Sequence, residues 1–211
     1  PTRELQKMIF RHPGIWVIAL SSAFIYITKY AIAGWGVLFL QKERACSLEQ
    51  ATQIIAFAAG FGVLGTVLAG WLSDRVFHSD RIRPAVLSGA VSSVALALFL
   101  FAGGGYVMNV LYVSVFSLSI GVLYCIVAGL MAVDIVPRKA TGAALGIVGI
   151  SSYVAAGLQD ITSGYLIQYN TVRVDGMDVY DFGPVSYFWL AAALVSFILP
   201  VLNWKKMKNN Q

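Results

Sequence analysis

Two ionisable residues, Lys29 and Asp160, interrupt stretches of the sequence that are otherwise apolar. Lys29 is the only charged residue between positions 14 and 40, and it lies near the middle of that run. A cation at that depth costs about 2.5–3.5 kcal/mol on insertion scales, so it normally faces a cavity or a partner. Lys29 could therefore bind an anion in a transport pathway, or it could form a structural ion pair with Asp160. The two interpretations are compatible, because a substrate could displace or share the partner.

Tyrosine residues lie near both charges. Tyr26 precedes Lys29 by three residues, which gives that helix face a polar, water-tolerant stripe. Tyr153 and Asp160 share one face, because positions seven apart realign on an α-helix. Asp160 either belongs to the site or lies at the membrane interface, where it contacts only headgroups and water. Tyr124 lies in the middle of another apolar run, and we expect its ring to pack and its hydroxyl to make one hydrogen bond.

The elements that must position these residues are membrane-spanning helices. The 211-residue chain is 58% hydrophobic and only 12% charged, against about 25% charged in an ordinary soluble domain. This composition excludes a disordered chain, a coiled coil and most soluble domains. A helix needs roughly 20 apolar residues to cross the hydrocarbon. We predict an all-α bundle of six such spans, at about 14–40, 50–73, 85–102, 108–133, 141–168 and 182–204.

Small residues predict where these helices pack, because lipid offers no hydrophobic drive for helix association and backbones must approach closely. Two spans carry small residues at helical spacing on one face. The second span has Ala58, Gly62, Thr66 and Gly70, and the fifth has Gly142, Gly146, Gly149 and Ala156.

The basic residues predict the orientation. Six spans put both termini on one side, and 11 of the 15 Lys and Arg residues fall on that side, against three on the other. Positive charge marks the cytoplasmic side, so we expect both termini in the cytoplasm. This explains the net charge of +5 without nucleic acid as a partner. The 11 are Arg3, Lys7, Arg11, Arg75, Arg81, Arg83, Arg138, Lys139, Lys205, Lys206 and Lys208; the three are Lys42, Arg44 and Arg173.

Several other classes are not expected. Two cysteines, Cys46 and Cys125, make neither a disulfide framework nor a metal site, and we predict no metal and no cofactor. No span carries a His-x-x-x-His or Gly-x-Ser-x-Gly arrangement, so an intramembrane enzyme is not expected. The chain begins with Pro1, and we expect it to be a piece of a longer protein.

Two charged turns lie on the terminal side, at 70–84 and 134–142. Asp74 could accept hydrogen bonds from the free N–H groups that open the fifth span. Arg75 could pair with Asp134. The alternative is a pair of plain solvated loops.

The first turn reads Gly70-x-x-x-Asp74-Arg75 with Arg81 after it, which resembles the cytoplasmic loop motif of the major facilitator superfamily. Three further motifs, together with that turn, resemble the organophosphate:phosphate antiporters of that superfamily. They are Asp134-x-x-Pro137-Arg138-Lys139-x-x-Gly142, Gly142-x-x-x-Gly146-x-x-Gly149-x-x-x-Tyr153 and Tyr26-x-x-Lys29-Tyr30.

The resemblance implies the C-terminal six-helix half of a twelve-helix transporter of the bacterial inner membrane. Such a protein exchanges hexose 6-phosphate or glycerol 3-phosphate for inorganic phosphate by alternating access, while some relatives are receptors of hexose phosphate. The resemblance places Lys29, Tyr26 and Tyr153 in the substrate site, with the second basic residue in an N-terminal half absent from this chain. Lys29 stands where the family usually has Arg, and Asp160 has no clear counterpart, so it could tune which sugar phosphate fits or compensate Lys29. The implied cytoplasmic gating motif is Gly70, Asp74, Arg75, Arg81, Asp134 and Arg138.

Overall fold

The computed structural model describes residues 2–77, 80–174 and 176–208, and this part of the chain is almost entirely helical. Turns of π-helix at Leu72–Val76, Leu98–Ala102 and Cys125–Met131 extend three of the α-helices, and a 3₁₀ turn at Arg138–Ala140 precedes another. The α-helices are α1 (Thr2–Arg11), α2 (Pro13–Glu43), α3 (Leu48–Trp71), α4 (Ile82–Ala97), α5 (Tyr106–Tyr124), α6 (Ala132–Asp134), α7 (Thr141–Tyr169) and α8 (Gly183–Lys208). A short antiparallel hairpin of β1 (Val172–Val174) and β2 (Met177–Val179) joins the last two helices.

The prediction of an all-α bundle with six membrane-spanning helices is confirmed. Six helices among the described residues are long and apolar enough to cross a membrane. They run somewhat beyond most of the predicted spans, because their polar ends continue the helix past the apolar run. Their bounds are Pro13–Glu43, Leu48–Val76, Ile82–Ala102, Tyr106–Asp134, Arg138–Tyr169 and Gly183–Trp204.

Local capping chemistry fixes where two of these helices begin. The backbone N–H of Gly14 donates to Nδ1 of His12 at 3.1 Å, and Pro13 occupies the first turn of α2, where its missing N–H has no intrahelical partner to lose. Ser47 and Gln50 form a reciprocal capping box at the start of α3. Each cap satisfies donors that the first turn of a helix leaves free.

The small-residue face of α3 packs as predicted except at Gly70; its partner is α5, and the two backbones approach closely. Ala58 is buried, and a Cβ added to Gly121 of α5 would lie 2.5 Å from the carbonyl oxygen of Gly62. The tightest approach involves Gly65, whose added Cβ would collide with the carbonyl of Leu118. Gly65 and Gly121 were not part of the predicted packing set, because spacing alone does not show which glycines meet a neighbouring backbone.

The glycines of the small-residue face of α7 are open within the described bundle, whereas Ala156, the fourth member of the predicted set, is buried. An added Cβ at Gly142, Gly146, Gly149 or Gly157 would meet no described atom within 4 Å. The opposite side of α7 is the buried one, and there Ser152 bonds to Ser22 of α2, with 2.7 Å between the hydroxyl oxygens. The glycine face of α7 is therefore left for something outside this six-helix unit.

Candidate functional site

Lys29 lies on α2 at the centre of a cluster of tyrosine rings. Its Nζ is 5.7 Å from the ring centroid of Tyr26, 6.0 Å from that of Tyr30 and 5.5 Å from that of Tyr124. These are cation–π distances, so the rings attract the ammonium group electrostatically. None of the rings carries a full negative charge, so the positive charge of Lys29 remains available for an anion.

The rings are held in place by one another. The hydroxyl group of Tyr26 donates to that of Tyr124 at 3.2 Å, and Tyr153 of α7 packs edge-on against Tyr26 with 5.3 Å between ring centroids. Tyr26 is only 6% exposed, whereas Tyr153 is 63% exposed in the described bundle. Tyr30 stacks on Tyr26 at 5.4 Å. Three helices, α2, α5 and α7, therefore contribute to one polar cluster, which reaches the surface of the described bundle at Lys29 and Tyr153.

Sequence reasoning treated two of these residues too simply. Tyr124 makes the single hydrogen bond predicted for it, but its ring also faces Lys29. Tyr30 follows Lys29 directly in the sequence, and its ring lies over the same ammonium group. The adjacency of an aromatic residue to an intramembrane lysine was the available signal for Tyr30. For Tyr124 no sequence signal exists, because its contact depends on how α5 packs against α2.

Lys29 also borders a cavity of about 340 Å³ between α2, α3 and α5. The cavity wall is mostly apolar and includes Ile32, Ile55 and Ala58, with Tyr124 among the few polar residues. The apolar wall has a low dielectric constant, so an anion bound at Lys29 beside this wall is attracted to the charge more strongly than it would be in bulk solvent.

Asp160 does not pair with Lys29. Within the described residues, the two form no ion pair, so the structural pairing considered as an alternative is not present. The Asp160 carboxylate lies instead beside Gly34, where Oδ1 would be 3.4 Å from a Cβ added to that glycine. Asp160 is exposed in the described bundle, on the same face of α7 as Tyr153.

At the end of the bundle that carries the two charged turns, Arg81 forms ion pairs with an aspartate from each turn. Its Nε lies 2.9 Å from Oδ2 of Asp134, and its Nη1 lies 3.3 Å from Oδ1 of Asp74 and 2.5 Å from Oγ of Ser73. The Arg81 side chain is only 13% exposed. Burial opposes its charge, but the hydrogen bonds and charges of Asp134 and Asp74 outweigh burial and raise the pKa of the guanidinium.

This arrangement corrects the predicted partners within the gating motif. Arg81, not Arg75, forms the ion pair with Asp134 among the described residues, and Arg75 is exposed. The hydrogen bond that Asp74 accepts comes from Arg81 rather than from the first N–H groups of α7. The π-helical turn Leu72–Val76 continues α3, and Arg81, directly before α4, lies beside the end of α6, where its Nε reaches Asp134.

The other two predicted gating residues lie at the same end of the bundle. Gly70 is in the last turn of α3, where an added Cβ would meet no described atom within 4 Å. Arg138 opens the 3₁₀ turn before α7 and is exposed.

Comparison with known proteins identifies the class. Residues 1–160 match the Major Facilitator Superfamily. The chain is 31% identical over 211 residues to the glycerol-3-phosphate transporter of Bacillus subtilis (strain 168), an alignment that covers 98% of this chain and 45% of that protein. It is also 31% identical over 149 residues to the hexose-6-phosphate:phosphate antiporter of Salmonella typhimurium (strain LT2), covering 70% of this chain and 31% of the relative. The membrane sensor protein UhpC of Escherichia coli (strain K12) is 30% identical over 158 residues, covering 73% of this chain and 35% of the relative.

The chain therefore belongs to the major facilitator superfamily, as a multi-pass helical membrane protein related to organophosphate:phosphate antiporters. It spans less than half of the length of these relatives.

Proposed function

We propose that this chain is the C-terminal six-helix half of a secondary transporter that exchanges an organic phosphate for inorganic phosphate. The organic phosphate is a hexose 6-phosphate or glycerol 3-phosphate, and the membrane is the bacterial inner membrane, with both termini in the cytoplasm. The observation that carries the proposal is the position of Lys29, a mid-membrane cation surrounded by tyrosine rings at the edge of a cavity.

The chemistry of this site suits a phosphate group. A phosphate ester carries between one and a half and two negative charges near neutral pH, and its oxygens accept hydrogen bonds. Lys29 supplies a positive charge. The rings of Tyr26 and Tyr124, whose hydroxyl groups are hydrogen-bonded to each other, lie 5.7 and 5.5 Å from its Nζ. Lys binds phosphate as a point charge, without the planar two-pronged geometry of Arg. One cation cannot neutralise the ligand, so a second basic residue must come from the half that this chain lacks.

The open face of α7 is where we place that other half. A Cβ added to Gly146 or Gly149 would meet no described atom within 4 Å, and Tyr153 on the same face is largely exposed. Small residues let transmembrane helices approach closely. A second six-helix unit against this face would enclose the tyrosine cluster between the halves, as expected for a binding site near the bilayer midplane in a transporter that works by alternating access.

The Arg81 cluster fits a role in that movement. Its three charged residues lie at the ends of the spans: Asp74 in the last turn of Leu48–Val76, Asp134 at the end of Tyr106–Asp134, and Arg81 directly before Ile82–Ala102. They join the end of α3 to the end of α6 through a nearly buried arginine. We propose that this cluster, with Gly70, Arg75 and Arg138, controls how the halves rock and makes no contact with substrate.

The direct test is exchange by the full-length protein reconstituted in proteoliposomes. Vesicles are loaded with labelled phosphate, and efflux is measured after addition of phosphate, glycerol 3-phosphate, glucose 6-phosphate or a sugar without phosphate. We expect efflux with phosphate and with at least one organic phosphate, but not with the free sugar. Efflux that ignores the external ligand, or that responds to the free sugar, would contradict the proposal.

A second function, a receptor that senses hexose phosphate, is favoured by one observation. One of the relatives, at 30% identity, is named a membrane sensor protein. A sensor should bind glucose 6-phosphate without exchanging it. A gene for a histidine kinase beside the gene for this protein would favour the sensor, and exchange in proteoliposomes would favour the transporter.

A further inference from the structure

Asp160 places a carboxylate on the face of α7 that carries Tyr153, beyond the phosphate end of the site. The two residues are seven positions apart, so Asp160 lies two turns further along α7, about 10.5 Å away along the helix axis. Its neighbour across the helix pair is Gly34, which lies five residues after Lys29 on α2, or about 7.5 Å along that axis. Helices α2 and α7 thus present a cation and, further along, an anion.

The exposed surface of α7 is divided into two stripes, and Asp160 lies in the one that avoids lipid. One stripe consists of large apolar residues that suit the hydrocarbon. The other consists of glycines with Tyr153 and Asp160. The apolar stripe comprises Ile150, Val154, Leu158 and Ile161, which are 56–72% exposed. A carboxylate turned to lipid would be strongly disfavoured, so Asp160 faces the space between the halves.

From this geometry we infer that Asp160 recognises the hydroxyl groups of the organic part of the substrate. The inference rests on the proposed function, because it takes Lys29 as the phosphate ligand. An ionised carboxylate only accepts hydrogen bonds, and hydroxyl groups are donors. A phosphate ester anchored at Lys29 extends its carbon chain along the helix pair, where its hydroxyl groups reach Asp160. Inorganic phosphate is too short to span the two positions and meets Lys29 alone.

Gly34 is part of this arrangement. A side chain at position 34 would occupy the space beside the Asp160 carboxylate, since the Cβ alone would come within 3.4 Å of Oδ1. The glycine therefore leaves room for a substrate hydroxyl group next to the acid. It also offers a second position from which a carboxylate could reach the same volume.

The experiment measures the affinity of purified full-length protein for four ligands by ligand-induced thermal stabilisation, and exchange in proteoliposomes alongside. The ligands are phosphate, propyl phosphate, glycerol 3-phosphate and glucose 6-phosphate. Propyl phosphate has the three-carbon chain of glycerol 3-phosphate without its hydroxyl groups. The variants are Asp160→Asn, which keeps the shape of the side chain, and Asp178→Asn in the exposed hairpin as a control for loss of one negative charge.

In Asp160→Asn, the dissociation constant for glycerol 3-phosphate relative to that for propyl phosphate should rise about tenfold to a hundredfold, the effect of losing a hydrogen bond to a charged group. The ratio should stay constant in Asp178→Asn. In an Asp160→Ala background, Gly34→Asp should restore part of the preference for glycerol 3-phosphate, because it returns a carboxylate to the same volume.

An unchanged ratio in Asp160→Asn overturns the inference, and so does an equal change for all four ligands, which would show a general charge-balancing role. The proposed transport function alone is wrong if the unmodified protein shows no exchange, while Asp160→Asn still changes the ratio of the dissociation constants for glycerol 3-phosphate and propyl phosphate. If the unmodified protein binds none of the four phosphates, both proposals are wrong.

Discussion

Replacement of Lys29 by Ala should abolish exchange in the full-length protein while leaving it inserted and folded. The structure explains why folding should survive. Lys29 is exposed in the described bundle and contacts tyrosine rings through cation–π interactions, each of about 0.5–1 kcal/mol at exposed sites. Its loss leaves no buried acid unpaired, since Lys29 and Asp160 form no ion pair with each other.

The effect on binding should be much larger. Truncating one partner of a desolvated charge pair costs roughly 2–5 kcal/mol. Since 1.4 kcal/mol is tenfold, affinity should fall by about 30-fold to several thousand-fold. Inorganic phosphate and the organic phosphate should lose affinity together, because both present to Lys29 the group they share.

The assay is competition against labelled phosphate in proteoliposomes, with equal amounts of reconstituted protein for each variant. Lys29→Arg should retain exchange, because it restores a cation and adds donors suited to phosphate. Lys42→Ala is the matched control, since this exposed lysine also lies over a tyrosine ring, 5.2 Å from the centroid of Tyr180, but outside the central cluster. Normal exchange by Lys29→Ala, or loss of the organic phosphate with phosphate affinity intact, would refute the assignment of Lys29 as the phosphate ligand.

Three further predictions concern the gate, the packing and the orientation. Asp134→Asn should slow exchange more than Asp74→Asn and leave ligand affinity unchanged. Asp134 lies closer to Arg81 than Asp74 does, at 2.9 against 3.3 Å, and its side chain is less exposed, 38% against 66%. Equal loss of binding and exchange would argue against gating. Gly121→Ala should destabilise the protein by about 1–3 kcal/mol through overpacking, measured as a lower unfolding temperature in detergent. The control Gly146→Ala should not disturb the packing of this bundle, since its Cβ would point into open space. Equal stability of Gly121→Ala and the unmodified protein would show that α3 and α5 are less tightly packed than described. A single cysteine at Gly176, in a background without native cysteines, should react with an impermeant maleimide added to intact cells. Protection from the reagent would show that the topology is the reverse of the predicted one.

The sequence by itself determined the class of architecture and the position of Lys29 near the middle of its span. The mean hydropathy of a single segment predicts whether it spans the membrane, and this needs no knowledge of the neighbouring helices. For this reason the six spans, the mid-membrane position of Lys29 and the proximity of Tyr26 to it could be read from one stretch of chain at a time.

Only the tertiary structure decided which residues meet. The ring of Tyr124 on α5 lies over Lys29 on α2, and Arg81 rather than Arg75 meets Asp134; both contacts join residues far apart in the sequence. Two small-residue faces looked alike in the sequence, yet Ala58 and Gly62 of α3 pack against a neighbouring helix, while Gly142, Gly146 and Gly149 of α7 are open. Helix periodicity fixes which residues share a face, but the axial rotation and register of neighbouring helices fix what that face contacts, and those are properties of the whole bundle.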